Sequence, residues 1–436
     1  MLKPALAVLW AQYGPYHFAR VAALQLHADS QPVHALEFAS QTADYQWNRG
    51  GSSVNLITLC PGAVAETLSF WKVFFSTRRH LRRLAVKVCF LPSYWPKPSL
   101  AALLAAKSLG IGTVLMCESH AGTSRSRGLA SWVKRRLARM FDAALVGGNP
   151  QKRYYESLGM PRENIFIGYD AVDNDYFARR AQEVRIQAAE IRCRYDLPQR
   201  YFLSLGRFVA KKNLATLIRS YRRFLDADSR PQTHLVMVGS GQEDTPLHAL
   251  CRELQLPIYE HTGSGTEAAP PTSAHSSPGV HFYGFRQIDE NPTFYALADA
   301  FILPSSWEEW GLVVNEAMCC GLPVVVSKTV GCAEDLLPPV AAGGAIAQPR
   351  ATRLAQDRRQ NGFVFDPGSV TALAESLLAL DGDPGLRQQM GQASRSIIQD
   401  FSCDAFARNA LLAAQVALQA RYPLAPLAAR SLQPRK

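Results

Sequence analysis

The sequence predicts an α/β protein built as two consecutive βαβ domains, and three observations point there. Short apolar runs of strand length alternate with helix-length segments along the whole chain. At 436 residues the chain is longer than one hydrophobic core usually serves. The alternation is interrupted by a polar stretch before a second strand, glycine and helix series opens at Tyr201. The expected division is a first domain over 1–180, a linker over 181–199, a second domain over 200–400 and a terminal helix over 401–420.

In chain order, residues 6–10 read as the first strand, followed by a loop over 13–17 that contains Gly14, and by a helix over 18–26. Residues 86–91, 112–117 and 143–147 are further strands. The second of these empties toward Glu118 and His120, either of which sits at a strand end where chemistry is commonly placed. Residues 165–169 lead into Asp170 and the segment up to 177. In the second half, the strand at 202–205 ends at Gly206, and a basic loop then opens a helix over 215–224. Arg207 and Lys212 are five apart across this turn, so both cationic heads can reach one point, with Lys211 expected to be their solvated neighbour. The strand 235–238 and its Gly239-Ser240-Gly241 turn do not make a dinucleotide fingerprint, because Asp244 stands where the third glycine belongs. Residues 261–279, rich in Gly, Ser, Thr, Pro and Ala, read as an insertion.

The most informative stretch is 305–318. A buried strand over 300–304 is followed by Glu308, a Trp310-Gly311 turn, and a helix carrying Glu316. A strand end facing a free helix N-terminus is where open α/β sheets bind ligands, and its amides favour an anion such as a diphosphate. A carboxylate in that position accepts vicinal hydroxyls, so Glu316 is a candidate for a ribose.

Charge is unevenly distributed. Of a net +11, residues 1–180 carry 22 Lys and Arg against 11 Asp and Glu, while the rest of the chain holds 25 of each. From Lys72 to Arg139 there are 14 cations and one acid, Glu118. Segments 70–83 and 132–139 interleave cations with Trp, Phe, Val and Leu, as basic amphipathic helices at an anionic membrane surface do. A solvated basic face is the other reading. Nucleic acid is disfavoured, because the aromatics cluster at 70–75 instead of being spaced as stacking platforms.

Nine cysteines lack any CxxC spacing, which argues against a zinc site or a disulfide scaffold. Three Asp-x-Asp pairs, at 173–175, 226–228 and 381–383, read as turn formers, and no metal or cofactor is expected. The start of the chain is too short and too soon polar for a signal peptide, and no run of eighteen apolar residues is present. The expected location is the cytoplasm, peripherally at the inner face of a membrane.

The 202–214 and 305–326 motifs resemble the retaining glycosyltransferases of family 4, the glycosyl transferases group 1, which have the GT-B fold. That resemblance implies two Rossmann-like domains facing a central cleft, with the terminal helix crossing back onto the first. It implies a nucleotide-sugar donor on the second domain, a UDP-sugar first and a GDP-sugar next, and a glycan or lipid-linked acceptor on the first, in polysaccharide or glycolipid biosynthesis. Residue by residue, it implies that Arg207 and Lys212 hold the diphosphate, that Glu308 positions the donor sugar, and that His120 lies near the reacting carbon. Gly14, Arg286, Trp310, Gly311, Leu312, Glu316 and Glu334 would form the rest of the donor site. Arg286 reads equally as a surface cation, and Glu334 as a helix-start carboxylate. Two other classes stay open: a sugar-nucleotide epimerase or phosphorylase-like enzyme on the same fold, and a non-catalytic membrane-associated partner in a polysaccharide assembly.

Overall fold

The computed structural model describes residues 3–41, 54–124, 128–227, 231–261, 277–338 and 360–422. Its strands are β1 (Ala5–Trp10), β2 (Val33–Gln41), β3 (Leu56–Val64), β4 (Val86–Pro92), β5 (Gly112–Cys117), β6 (Ala143–Val146) and β7 (Ile165–Ile167), then β8 (Tyr201–Leu205), β9 (His234–Val238), β10 (Ile258–Glu260), β11 (Val280–Phe282), β12 (Ala300–Leu303), β13 (Val324–Ser327) and β14 (Gly362–Phe365). They form two seven-stranded parallel sheets. Helices cover both faces, so the central strands are buried along their length and their sequences are nearly unbroken apolar runs.

The strand orders are β3-β2-β1-β4-β5-β6-β7 and β10-β11-β9-β8-β12-β13-β14. Each sheet therefore reverses its winding once, between β1 and β4 in the first and between β8 and β12 in the second. At such a reversal the loops leave in opposite directions and open a crevice beyond the carboxyl ends of the strands.

The terminal helix, Cys403–Arg421, returns to the first sheet as expected. Its buried face is mostly alanine, with Ala407, Ala410, Ala414 and Ala417 packed in one core with Leu6, Val114 and Leu145. The approach is close enough that a Cβ on Gly112 would stand 2.6 Å from the Ala417 carbonyl oxygen. The stretch 181–199 lies within and after two helices, Asn174–Ile186 and Ala188–Tyr195. Ala181, Val184 and Ile191 from these helices pack in the same core as Leu203 and Phe301 of the second sheet. Of the insertion expected at 261–279, residues 262–276 lie outside the described residues.

The aspartate pairs do local structural work. Asp173 and Asp383 cap helices through the Tyr176 and Leu386 amides, each at 2.9 Å. Asp226 pairs with Arg222 at 2.6 Å and Asp381 with Arg200 at 2.8 Å. No helix among the described residues is long and apolar enough to cross a membrane.

Candidate active site

At the second sheet's reversal, the loops after β8 and β12 are joined into one body. A 3₁₀ turn, Ala210–Lys212, ends at Asn213, whose φ is 55°. The Asn213 amide group donates to the carbonyls of Pro304 (3.1 Å) and Pro367 (2.9 Å), while the Ser306 amide donates to the Lys211 carbonyl at 2.8 Å. Asn213 thus ties the start of the helix Leu214–Ala227 to the end of β12.

On that body the Glu308 carboxylate receives Lys212 Nζ at 2.6 Å and Lys211 Nζ at 2.9 Å. Burial alone would raise the Glu308 pKa, but Lys212 and Lys211 outweigh it and hold the carboxyl below its ordinary value. The carboxylate is therefore ionised near neutral pH. Sequence reasoning set Lys211 aside as solvated. The structure corrects this: a long lysine stem lets consecutive residues of a tight turn reach both oxygens of one carboxylate, and Lys211 also lies over the Trp307 ring at 4.5 Å. Arg207 is exposed on the same loop.

Gly311 opens the helix Leu312–Cys319 at φ +104°, where a Cβ would come within 3.0 Å of Leu303. Leu312 is half-buried at its first turn. Glu316 is fully buried. Tyr16, from the first domain, donates its hydroxyl to Glu316 Oε1 at 2.5 Å, and Asn291 donates to Oε2 at 3.3 Å. Burial pushes the Glu316 carboxyl up to about 7, against the hydrogen bonds from Tyr16, Tyr295 and Asn291. The expected ribose carboxylate is thus held by a tyrosine from across the cleft. Sequence reasoning missed Tyr16, because a lone tyrosine after a first strand carries no spacing signal.

Two expected donor residues belong to the contact between domains. Trp310 is 1% exposed; its ring packs against Gly147, Gly148 and Phe401, and its Nε1 donates to Asn315 at 2.9 Å. The ring is enclosed between the two domains. Glu334 makes a two-pronged ion pair with Arg153, at 2.7 and 2.6 Å, which holds its carboxyl below the ordinary value. Its neighbour Asp335 accepts from the Asn149 amide at 3.0 Å. Asn149 begins the helix Asn149–Ser157, so a carboxylate of one domain caps a helix of the other.

The remaining candidates are spread out. His120 joins the cluster: its Nδ1 accepts from the Gly122 amide at 3.2 Å, which leaves Nε2 to donate to the Glu308 carbonyl at 3.1 Å. Gly14 caps the helix Pro15–His27 in extended conformation. Its amide donates to His17 Nδ1 at 2.9 Å and so is already engaged. Arg286 reaches the His261 carbonyl at 3.5 Å, at the root of the expected insertion.

Beyond β4 and β5 lies a cleft of about 430 Å³ with Glu309 of the second domain on one side. Tyr94, Trp95, Tyr154 and Tyr169 give it aromatic walls, and Glu118 lines it opposite hydroxyl side chains. Next to it, Arg20 and Asp170 are fully buried, with the guanidinium 3.9 Å from the carboxylate and 4.8 Å above the Tyr169 ring. Burial pushes Glu118 up against the pull of Arg20, and burial together with Glu118 pushes Asp170 up further.

Comparison with known proteins follows the same geography. Residues 199–383, which hold the β8 and β12 loops, match the family model for glycosyl transferases group 1. The chain is 28% identical over 309 residues to the sulfoquinovosyl transferase of Arabidopsis thaliana, covering 69% of this chain and 51% of that protein. It is 28% identical over 230 residues to the O-antigen chain mannosyltransferase B of Escherichia coli, covering 52% and 48%. The chain spans about half the length of the curated relatives it matches. Sucrose-phosphate synthase from Thermosynechococcus elongatus superposes with a TM-score of 0.65 at 18% identity, over 95% of this chain and 99% of that one. Anabaena HepE in complex with UDP-glucose superposes with a TM-score of 0.62 at 17% identity, over 95% and 99%.

Proposed function

We propose, for a chain of the GT-B fold that belongs to the glycosyl transferases group 1, that it moves a sugar from a nucleotide-sugar donor to a glycan or lipid-linked acceptor with retention of configuration. The observation that carries this reading is the convergence of Lys211 and Lys212 on Glu308 at the reversal between β8 and β12. Breaking a glycosyl–phosphate bond leaves an oxocarbenium-like sugar and a diphosphate that gains negative charge. Cations placed where that charge develops stabilise the transition state more than the ground state.

In this reading the diphosphate takes Lys212 and Arg207 in place of Glu308, with the N-terminus of Leu312–Cys319 behind it. Glu308, released from Lys212, turns to the donor sugar's hydroxyls. The acceptor hydroxyl attacks from the face the diphosphate leaves, and its proton passes to the departing phosphate oxygen. No protein nucleophile is required. His120 acts as a positioning residue, since its proton lies on Nε2 and its Nδ1 lone pair is engaged by Gly122. Glu316 takes the ribose once Tyr16 has withdrawn. The lysines and Arg207 do the neutralising without a metal ion. UDP is the first nucleotide to test, because HepE was solved with UDP-glucose, and GDP the second, because a relative in Corynebacterium glutamicum is named as GDP-mannose-dependent.

Attachment to a membrane is part of the proposal. The helix Phe70–Arg83 buries Val73, Thr77 and Leu81 and turns Trp71 and Phe75 to solvent, together with Arg79, Arg82 and Arg83. Aromatic side chains among cations suit an anionic bilayer surface.

The test is turnover of UDP-hexoses in the presence of EDTA, with the anomeric configuration of the product followed by proton NMR. A product with the donor's configuration is expected. Inversion, or strict dependence on added magnesium, would overturn the mechanism.

A further inference from the structure

The cleft beyond β4 and β5 has a chemistry different from that of the lysine site, and the helix at its side is exposed in an unusual way. Trp95, 67% exposed, stands at its mouth, with Tyr94 and Tyr154 beside it. Glu118 and Glu309 face it from the two domains. Aromatic faces cover the apolar side of a sugar ring, and carboxyls with hydroxyls satisfy its hydroxyl groups. The same combination is hostile to a phosphate. Among the described lining residues Lys134 is the one cation, and its Nζ donates to Ser124 at 3.1 Å.

Lys134 lies on the helix Leu129–Ala138, which buries little beyond Ala138. That helix presents Leu129 (77% exposed), Trp132 (54%) and Val133 (41%) to solvent, directly beside the lysine that lines the cleft. Arg135, Arg136 and Arg139 are exposed on it as well, with the Arg136 guanidinium 5.2 Å from the Trp132 ring centroid. A sugar-binding cleft therefore continues into an apolar, cation-flanked helix face. A free oligosaccharide has no use for that face, whereas an amphiphile does.

We infer that the acceptor is a lipid bearing an uncharged sugar head: the head enters the cleft between Trp95 and Glu118, and the lipid portion leaves along Trp132 and Val133 toward an anionic surface. This rests on the glycosyltransferase reading and names the acceptor class for it. The cations of the helix then meet the membrane and not the substrate, which is why the cleft itself can stay acidic.

The test uses the full chain with UDP present and n-octyl glycosides of glucose, galactose and mannose below their micelle concentrations, read by saturation-transfer NMR. At least one octyl glycoside is expected to show saturation of both ring and alkyl protons. It should bind at least about tenfold tighter than its methyl counterpart, the gain from burying roughly two methylenes. The matching hexose 6-phosphate should fail to displace it. Trp95→Ala should abolish ring saturation, and the exposed double change Trp132→Ala with Val133→Ser should remove the octyl preference alone. Binding of none of the three glycosides, displacement by the hexose 6-phosphate as efficient as by the methyl glycoside, or an octyl preference that survives the double change would overturn the inference. A rise in thermal stability on adding UDP, measured in parallel, is expected in the wild type and in every variant. Its absence in the wild type would instead count against the donor reading, so the two failures are distinguishable.

Discussion

Outside β8 and β12 the cleft wall is cationic, with Lys211 and Lys212 clamped on Glu308 and Arg207 exposed beside them. Outside β4 and β5 it is built of rings and carboxyls, with Glu118 in its lining and the buried Arg20 and Asp170 next to it. Glu308 is held down by two lysines, whereas Glu118 and Asp170 on the other wall are pushed up by burial, as is the buried Glu316 behind Glu308 on the first. In the proposed reading, one wall serves an anion that gains charge and the other serves hydroxyl groups. The difference teaches that fold symmetry, two parallel sheets each reversing once, does not carry over to the chemistry at the reversals.

The largest effect that would sharpen this contrast concerns Glu316. Its carboxyl, ordinarily near 4.5, is raised to about 7 in the folded protein. Between those values the folded chain keeps a proton that the unfolded chain has lost, so the contribution of this group to stability falls as pH rises from about 4.5 to about 7 and then levels. Glu316→Gln should remove a slope worth at most about 3 kcal/mol over that window. Urea unfolding at a series of pH values checks it. Asp335, raised to about 6 by burial, slopes the same way and remains in the variant. An unchanged profile would show that Tyr16 and Asn291 hold an ordinary carboxylate.

A second test forces the walls apart. A Cβ on Gly148 would overlap the Asp335 carboxylate and stand 2.8 Å from the Trp310 ring. Gly148→Ala should cost about 1–3 kcal/mol by overpacking, measured by thermal unfolding. Full stability would mean that the domains close less tightly than the Trp310 contact implies.

A third test lies outside both walls. Replacing Arg79, Arg82 and Arg83 by Gln should weaken sedimentation with phosphatidylserine vesicles by on the order of a hundredfold, at roughly 1 kcal/mol per cation near an anionic surface. Unchanged sedimentation would remove the helix Phe70–Arg83 from membrane binding.

The cationic wall was legible in the sequence because its residues are local: a strand, a glycine and a charged loop lie within about a dozen positions, twice. Lys211 was misjudged because sequence gives no direction to two adjacent lysines in a tight turn. Of the aromatic wall only the strand end at Glu118 was legible, because Arg20, Tyr154 and Asp170 come from three other segments and meet it only through the sheet. The enclosure of Trp310 was not legible for a related reason, since the glycines that receive its ring, Gly147 and Gly148, lie more than 160 positions upstream in the other domain. Among the strands, β2 was passed over because its polar residues mask it. Glu37 there is buried and accepts from the Tyr13 amide at 3.0 Å and the Thr58 hydroxyl at 2.7 Å, which propensity alone cannot foresee.

The measurement that tests the central claim most directly is titration calorimetry of UDP, with GDP alongside, against the wild type and Lys212→Ala in the presence of EDTA. The account predicts metal-free binding to the wild type that weakens by on the order of a hundredfold when the lysine is removed, the cost of losing one buried charge-assisted contact to the diphosphate. Binding of equal strength in both proteins, or no binding of either nucleotide to the wild type, would contradict it.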